Sequence, residues 1–274
     1  MLKNQKPTTP SIRHTFLYIK NLSKRPLLKN KLQRKKKALG KNNCGRIVSR
    51  HKENGCKKRY RKLSLVYSKK STNGIVCSIE YDPFRTGFIM SVFDTRKKNF
   101  FYSTAPSGIQ IGSNVVSGVK VPTKVGNSTQ LGSVPPGTLV SNVTLHPGND
   151  KGVLARSAGS YCFLLGHLVE KNLSFLELMS GEIRLVSSSN LALIGKVSNE
   201  SHFLERSGKA GKSRWLGKRP KVRGVAMNPV DHPNGGGEGK KSGFNRTPWG
   251  KSSKQGFRTG GFNPMCIKKR YESK

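Results

Sequence analysis

Positive charge is crowded into both ends of this chain and nearly absent from its middle, and that partition limits what the polypeptide can become. Residues 1–62 hold 21 Lys and Arg against a single acid, Glu53, for a net charge of +20. Residues 63–205 hold 13 basic and 9 acidic residues, a net of +4, whereas residues 206–274 hold 18 and 3, a net of +15. The whole chain reaches +39 over 274 residues. Like charges at that density repel one another and oppose compaction, so such a chain is stable beside a polyanion. Hydrophobic residues make up 34% of it, below the roughly 45–50% of an average globular domain, a range that also counts Gly. A core can be built from the central segment, and part of the remainder stays unfolded until a partner organises it.

The central segment reads as a series of short strands. Ile75, Cys77, Ile79 and Tyr81 alternate with Val76, Ser78 and Glu80, the two-residue period of a half-buried strand, and Asp82-Pro83 ends it with a turn. Gly87–Phe93 gives a second strand, Phe100–Tyr102 a third and Gly108–Gly112 a short fourth. A Pro/Gly cluster, Val134-Pro135-Pro136-Gly137, marks a boundary before a second set. There Val143 and Leu145 alternate with Asn142 and Thr144 ahead of a His146-Pro147-Gly148 turn. Tyr161–Val169 and Leu173–Met179 form a hairpin around Lys171-Asn172, Ser180-Gly181 turns into Glu182–Val186, and Leu191–Val197 closes the set. Short strands at this spacing, with no convincing helix between residues 63 and 205, predict an all-β protein. Each half, at about 65–75 residues, is large enough for a small barrel. The organisation read from this is a basic extension over 1–58, one barrel over 59–134, another over 135–205, and a Gly-rich basic extension over 206–274.

Five cysteines, Cys44, Cys56, Cys77, Cys162 and Cys266, are odd in number and lack the spacing of a disulfide framework, which favours reduced thiols in a cytosol or organelle matrix. Cys44, His51 and Cys56 include no Cys-x-x-Cys pair, and no metal site is expected of them. No apolar run approaches the ~18 residues of a membrane helix, and the N-terminus lacks the apolar core of a secretory signal. The absence of acid from residues 1–52 suits a mitochondrial transit peptide, but it suits a Lys-rich RNA-binding arm equally, and we read it as an arm.

Several strings imitate enzyme motifs. Gly208-Lys209-Ala210-Gly211-Lys212-Ser213 ends like a phosphate-binding loop, yet Arg206 stands where the first Gly is required. Gly235-Gly236-Gly237-Glu238-Gly239-Lys240 misses the dinucleotide spacing because position 240 is Lys. Asp231-His232 could suggest an oriented general base, but no nucleophile lies near in sequence. A lone His in such a loop more often bonds RNA or backbone. What the tail does contain is Gly and cations among aromatics, Trp215, Phe244, Trp249, Phe257, Phe262 and Tyr271, a mixture suited to phosphates and unpaired bases.

The run Val222-Arg223-Gly224-Val225-Ala226-Met227-Asn228-Pro229-Val230-Asp231-His232-Pro233-Asn234-Gly235-Gly236-Gly237-Glu238-Gly239 is of a different kind. It closely resembles the signature of the family of large-subunit ribosomal protein number two, bacterial and organellar type. Gly45-Arg46-Ile47 with Arg50-His51, Glu80-Tyr81-Asp82-Pro83 with Arg85, Leu154-Ala155-Arg156-Ser157-Ala158-Gly159, Ser180-Gly181-Glu182, and Gly208-Lys209-Ala210-Gly211 with Arg214-Trp215 and Arg219-Pro220 extend the resemblance over roughly residues 40–250, in order. It implies an OB-like barrel followed by an SH3-like barrel, with both ends threaded into ribosomal RNA near the peptidyl-transferase region. It also implies roles in RNA assembly and subunit association. Peptide-bond chemistry would belong to the RNA, leaving His232 structural or orienting. Three departures stand out: Asn234 in place of a second His, Glu53-Asn54-Gly55-Cys56 in place of a Gly-Gly-Gly-His stretch, and Phe84 in place of an Asn. With the Lys/Asn-rich N-terminus they suggest an organellar and mitochondrial member, the alternatives being a plastid or a bacterial cytoplasm.

The expected RNA contacts are Arg46, Arg50, His51, Lys57, Lys58, Arg59, Arg61, Arg85 and Arg156 from the N-terminal and barrel side. From the tail they are Lys212, Arg214, Trp215, Lys218, Arg219, Lys221, Arg223, Asn228, His232 and Asn234. The expected partners are large-subunit rRNA, neighbouring ribosomal proteins and the small subunit across the interface, with no membrane span and no homo-oligomer. No cofactor is implied beyond Mg2+ accompanying the rRNA. An enzyme acting on RNA or nucleotides and a non-specific DNA-compacting protein are the competing readings. The first is motivated by Asp231 and His232 beside Gly-rich backbone; two compact barrels and one particular glycine loop weigh against the second.

Overall fold

The protein is described from a computed structural model, which covers residues 2–18, 21–35, 38–64, 71–148, 151–239, 244–252 and 264–269. These residues group into two compact units, Met1–Lys36 with Lys58–Lys209 and Pro264–Lys274 in the first, Lys37–Lys57 with Ala210–Asn263 in the second. The first unit opens with β1 (Leu2–Asn4), a one-turn helix α1 (Pro10–Arg13), β2 (Thr15–Tyr18), β3 (Leu32–Arg34) and β4 (Arg59–Arg61). A first barrel follows: β5 (Thr72–Glu80), β6 (Ile89–Asp94), β7 (Asn99–Thr104), β8 (Asn114–Gly118) and β9 (Ser128–Gln130). A second contains β10 (Leu139–Ser141), β11 (Cys162–Leu168), β12 (Leu173–Leu178), β13 (Ile183–Ser187) and β14 (Leu191–Ile194). After β15 (Arg206–Ser207) and a six-residue helix α2 (Ala210–Trp215) in the second unit, β16 (Cys266–Lys268) belongs to the first unit again.

The OB-like and SH3-like barrels implied by the resemblance are both present, and they are one continuous sheet. Its order is β16-β13-β12-β11-β10-β14-β9-β8-β5-β6-β7, so the β9–β14 ladder joins the halves. Each barrel nonetheless has its own apolar core, Val76, Met90, Val92, Ala105 and Val115 in the first, and residues such as Leu131, Val140, Leu164, Leu176 and Val186 in the second. The hairpin turn between β11 and β12 depends on Asn172, which adopts φ 50°, a left-handed conformation that Asn tolerates well.

The strand read around Ile75–Tyr81 is present, but its more polar face is the buried one. Val76, Ser78 and Glu80 are nearly inaccessible, whereas Ile75 and Tyr81 are exposed. Glu80 explains the inversion. Its Oε1 accepts the Leu27 N–H at 2.9 Å and the Ser78 hydroxyl at 2.9 Å, and its Oε2 accepts the Tyr102 hydroxyl at 2.9 Å. Tyr102 in turn accepts the Leu28 N–H at 3.0 Å. A buried carboxylate is tolerated when hydrogen bonds replace its lost water. Leu28 packs with Ile89 and Tyr102, so the arm before β3 is pinned to the first barrel by a polar network and an apolar plug together.

Other sequence expectations need correction. Gly108–Gly112 is a turn, not a strand, because Gly108 (φ 84°) and Gly112 (φ 87°) both adopt left-handed conformations that break extension; the fourth strand lies beyond it at Asn114–Gly118. Val143 and Leu145 fall after β10, since Asn142 (φ 54°) turns the chain, and Val143 only bridges to Leu154. The arm and tail also contain short elements, among them β2, which pairs with β1 and with β15. Three- and four-residue pieces are too short to show a period in sequence.

Burial pushes the Tyr102 hydroxyl up to about 12 from its ordinary 10.0. A group raised in the fold contributes stability below its unfolded value and loses it as pH rises through the folded one. Stability should therefore fall between about pH 10 and 12, and tyrosinate absorbance should show a late-titrating phenol that Tyr102→Phe removes. The same substitution leaves the Leu28 N–H and the Glu80 carboxylate each a partner short, and should destabilise the protein by about 1–3 kcal/mol in denaturant titrations.

Candidate nucleic-acid interface

In the first unit β3 and β4 form a two-stranded ribbon, pairing Leu32, Gln33 and Arg34 with Arg61, Tyr60 and Arg59. Arg34 and Arg59 thus stand opposite each other, both exposed. Like charges in that position repel, and an anion set between them relieves the repulsion. Lys35 Nζ and the Arg85 guanidinium each lie 5.4 Å from the centre of the Tyr60 ring. Arg34 and Lys35 stand in the dense basic run Arg34-Lys35-Lys36-Lys37 but are not among the RNA contacts expected from sequence, because nothing local shows which distant segment their strand pairs with.

Arg85 has partners inside the chain. Its Nη1 lies 2.7 Å from Oδ2 of buried Asp82, and its Nη2 donates to the Tyr60 hydroxyl at 3.3 Å. Asp82 Oδ1 also accepts the Phe84 N–H at 2.8 Å, and the Phe84 ring meets Tyr60 edge-on at 5.5 Å. Phe84, where the resemblance leads one to expect Asn, therefore adds an aromatic contact at this corner. Arg61 Nη1 donates to the Arg59 carbonyl at 2.9 Å. Lys58 is half-buried and Arg156 exposed, the latter following Ala155 at φ 49°.

The second unit contains no buried apolar side chain among its described residues. Backbone pairing organises it instead. Glu53 N–H donates to the Gly217 carbonyl, Cys56 N–H to that of Trp215, and Arg219 N–H to that of His51, each at 2.9 Å, with Lys52 bridged to Lys218. Gly55 (φ 60°) and Gly217 (φ 84°) are left-handed where the segments meet, and a Cβ on either would strike the other segment's backbone. Arg214 Nη2 reaches Glu53 Oε2 at 3.0 Å. The departure at Glu53-Asn54-Gly55-Cys56 therefore gives the α2 segment a carboxylate to pair with. Lys212, Arg214 and Trp215 lie on α2, and Trp215 is 52% exposed. Arg46, Arg50, Lys57, Lys218, Arg219, Lys221 and Arg223 are exposed, and His51 is half-buried.

The signature loop folds around His232, which is 8% exposed. Its N–H donates to the Asn228 carbonyl at 3.3 Å, its carbonyl accepts from Gly235 at 2.9 Å, and its Nδ1 accepts the Asn234 N–H at 3.1 Å. Gly224 lies flat against the imidazole, leaving no room for a Cβ. Gly236 (φ 70°) lies against the Pro229 ring in the same way. Arg50 Nη2 donates to the Asp231 carbonyl at 3.4 Å, and Asn228 is exposed. Asn234 acts through its backbone, which any residue but Pro could supply. In this arrangement His232 is an internal support of the loop. The segment resembling a phosphate loop leads into α2 from a two-residue strand, β15, that is exposed.

Two fused barrels bearing cation-rich segments and a self-supporting glycine loop define a protein of the RNA-binding, ribonucleoprotein class. Residues 28–117 match the family model for the RNA-binding N-terminal domain of ribosomal proteins L2, and residues 124–250 match that for their C-terminal domain. The chain belongs to the ribosomal protein L2 family. It is 44% identical over 260 residues to the large ribosomal subunit protein uL2 of Methylacidiphilum infernorum, across 92% of this chain and 90% of that one. It is 46% identical over 251 residues to the uL2 of a Wolbachia pipientis strain from Culex pipiens, across 90% of each.

Replacing Gly236 by Ala forces a left-handed alanine and a clash with Pro229, whereas Gly239→Ala meets only the conformational penalty of its φ of 72°. Limited proteolysis should cut the signature loop of the first variant markedly faster than that of the second. Equal rates would show that the loop does not depend on this close packing.

Proposed function

We propose that this chain is a structural constituent of the large ribosomal subunit, holding rRNA with the basic regions at both ends of its sequence, and that it is not an enzyme. Family membership across both barrels is the observation that carries this reading. The exposed cations supply the physical means. Arg34 and Arg59 would bracket a phosphate on the first unit, with Lys58, Arg61 and Arg156 as further contacts there and Lys57 as one on the second unit. On the second unit Arg46, Arg50, Lys212, Lys218, Arg219, Lys221 and Arg223 would follow the backbone, with Trp215 packed on a sugar or base. His51, Asn228 and Asn234 would bond RNA, and Arg85 and His232 would act by holding the surfaces that do so. Any Mg2+ in such contacts would come with the RNA.

The finer reading places the glycine loop near the peptidyl-transferase centre and gives the chain, as a monomer, a part in assembly and in association with the small subunit and neighbouring proteins. The relatives compared above are bacterial, in keeping with a bacterial-type ribosome. The departures at residues 53–56, 84 and 234 and the Lys/Asn-rich N-terminus favour a mitochondrial ribosome over that of a plastid or bacterium. A tagged chain should then sediment with the large subunit from fractionated mitochondria; co-sedimentation with plastid or cytoplasmic ribosomes alone would overturn the compartment and leave the role.

Binding through many phosphates should weaken roughly 10³–10⁵-fold between about 50 and 200 mM salt on an rRNA fragment. Replacing Arg34 and Arg59 together by Ala removes the contact to one phosphate and should flatten the log–log salt slope by about 0.7–0.9. Salt-insensitive binding, or equal affinity for duplex DNA, would exclude this mode of action.

A further inference from the structure

The outer face of the first barrel carries a row that neither the apolar core nor the basic ends account for. Strand register sets Asn114 of β8, Ile75 of β5, Phe93 of β6 and Phe100 of β7 side by side, each opposite the next. Residues opposed in this way share one face of a sheet. Val76 and Val92, the adjacent positions along β5 and β6, belong to the core, so the row looks outward. Ile75 is 39% and Phe100 37% exposed, Asn114 is exposed, and Phe93 is half-buried. The Phe93 and Phe100 rings lie 4.8 Å apart, inclined at 46°.

The two rings stand one register pair from a cationic hairpin tip. Thr95-Arg96-Lys97-Lys98, all exposed, joins β6 to β7 beyond the Asp94–Asn99 pair. Asp94 is 3% exposed, and its Oδ1 accepts the Arg96 N–H at 3.0 Å and the Lys97 N–H at 3.2 Å, so its charge is turned into the hairpin. Arg96 Nη1 donates to the Ser71 carbonyl at 3.1 Å and to the Ser71 hydroxyl at 2.6 Å, neutral partners that fix the guanidinium without cancelling its charge. Lys98 stands at φ 48°, where Gly or Asn would be less strained. Strain of this kind gathers at functional sites.

We propose that this row is a platform for an unpaired segment of the bound RNA, with a base stacked on Phe100 and Phe93, the Asn114 amide bonding a base edge farther along, and Arg96 and Lys98 holding phosphates at the tip. Exposed rings beside cations are the means by which proteins hold a single strand: the ring takes the face of any base, and the cations take its backbone. Charge complementarity favours such a polyanion over another protein. The proposal rests on the RNA-binding reading above and adds to it a surface that engages bases, where the Arg34–Arg59 ribbon engages phosphate. Bases become available for stacking only where the RNA is unpaired.

The test uses the full-length chain and its own large-subunit rRNA. Ultraviolet irradiation joins aromatic side chains to bases they touch, and we expect Phe100 to carry an unpaired rRNA nucleotide. Phe100→Leu keeps an apolar side chain and loses the ring. It should abolish that crosslink and weaken binding roughly 5- to 150-fold, the range for one stacked base, with the salt slope unchanged. Lys98→Asn suits the left-handed backbone and should flatten the slope by about 0.7, the value for one phosphate of a single strand. An abasic residue at the crosslinked nucleotide leaves the protein untouched. It should weaken wild-type binding by a factor similar to that of Phe100→Leu and leave that variant unaffected. Wild-type affinity in Phe100→Leu, no nucleotide joined to Phe100, or a crosslink from it to a neighbouring protein in intact large subunits would overturn the platform while leaving rRNA binding in place. Failure of the wild type to prefer rRNA over duplex DNA would overturn the reading beneath it.

Discussion

Repulsion among 52 basic side chains, opposed by only 13 acidic ones, is the condition every part of this fold has to satisfy. The first barrel answers it by turning three carboxylates inward. Glu80, Asp82 and Asp94 are 2%, 1% and 3% exposed. Each accepts backbone N–H groups, from Leu27, from Phe84, and from Arg96 and Lys97 respectively. Negative charge thus serves as internal fastening, and the outer surface is more positive than composition alone would make it. Such a surface raises the local potential toward an anionic partner and steers its approach.

The two units reach order by different physics. The barrels bury apolar side chains in quantity, which suffices to close a small domain when polar groups inside are satisfied. The other unit has backbone pairing, left-handed glycines and an ion pair, and nothing apolar beneath them among the described residues. Ion pairs exposed as Arg214 and Glu53 are contribute little on their own. Geometry in that unit is consequently set by close approach of main chains, and cations such as Arg46, Lys218 and Arg223 are exposed on it.

What could be read from the sequence follows from this division. Strands such as Leu173–Leu178 and Ile183–Ser187 are bounded by local turn chemistry, and they appear within a residue or two of their expected positions. The buried side of β5 was not legible, because Glu80 goes inward only in answer to Leu27 and Tyr102, which lie far from it along the chain. The pairing of residues 51–56 with 215–219 left no trace in either segment alone. Candidate site residues could be named from charge and from the resemblance. Their division into outward cations, such as Arg59, and inward fasteners, such as Arg85, needed the hydrogen bonds.

The ladder between β9 and β14 bears on how such a molecule can be divided. The two regions matched to the family meet between residues 117 and 124, where a parser of sequences would cut. Yet Ser128–Gln130, on the far side of that gap, forms the seam between β8 of one barrel and β14 of the other. A cut there would part β9 from β8 and break a hydrogen-bonded edge. The connection between the barrels is thus a hydrogen-bonded ladder as well as a stretch of chain, a property that belongs to the seam and to neither barrel.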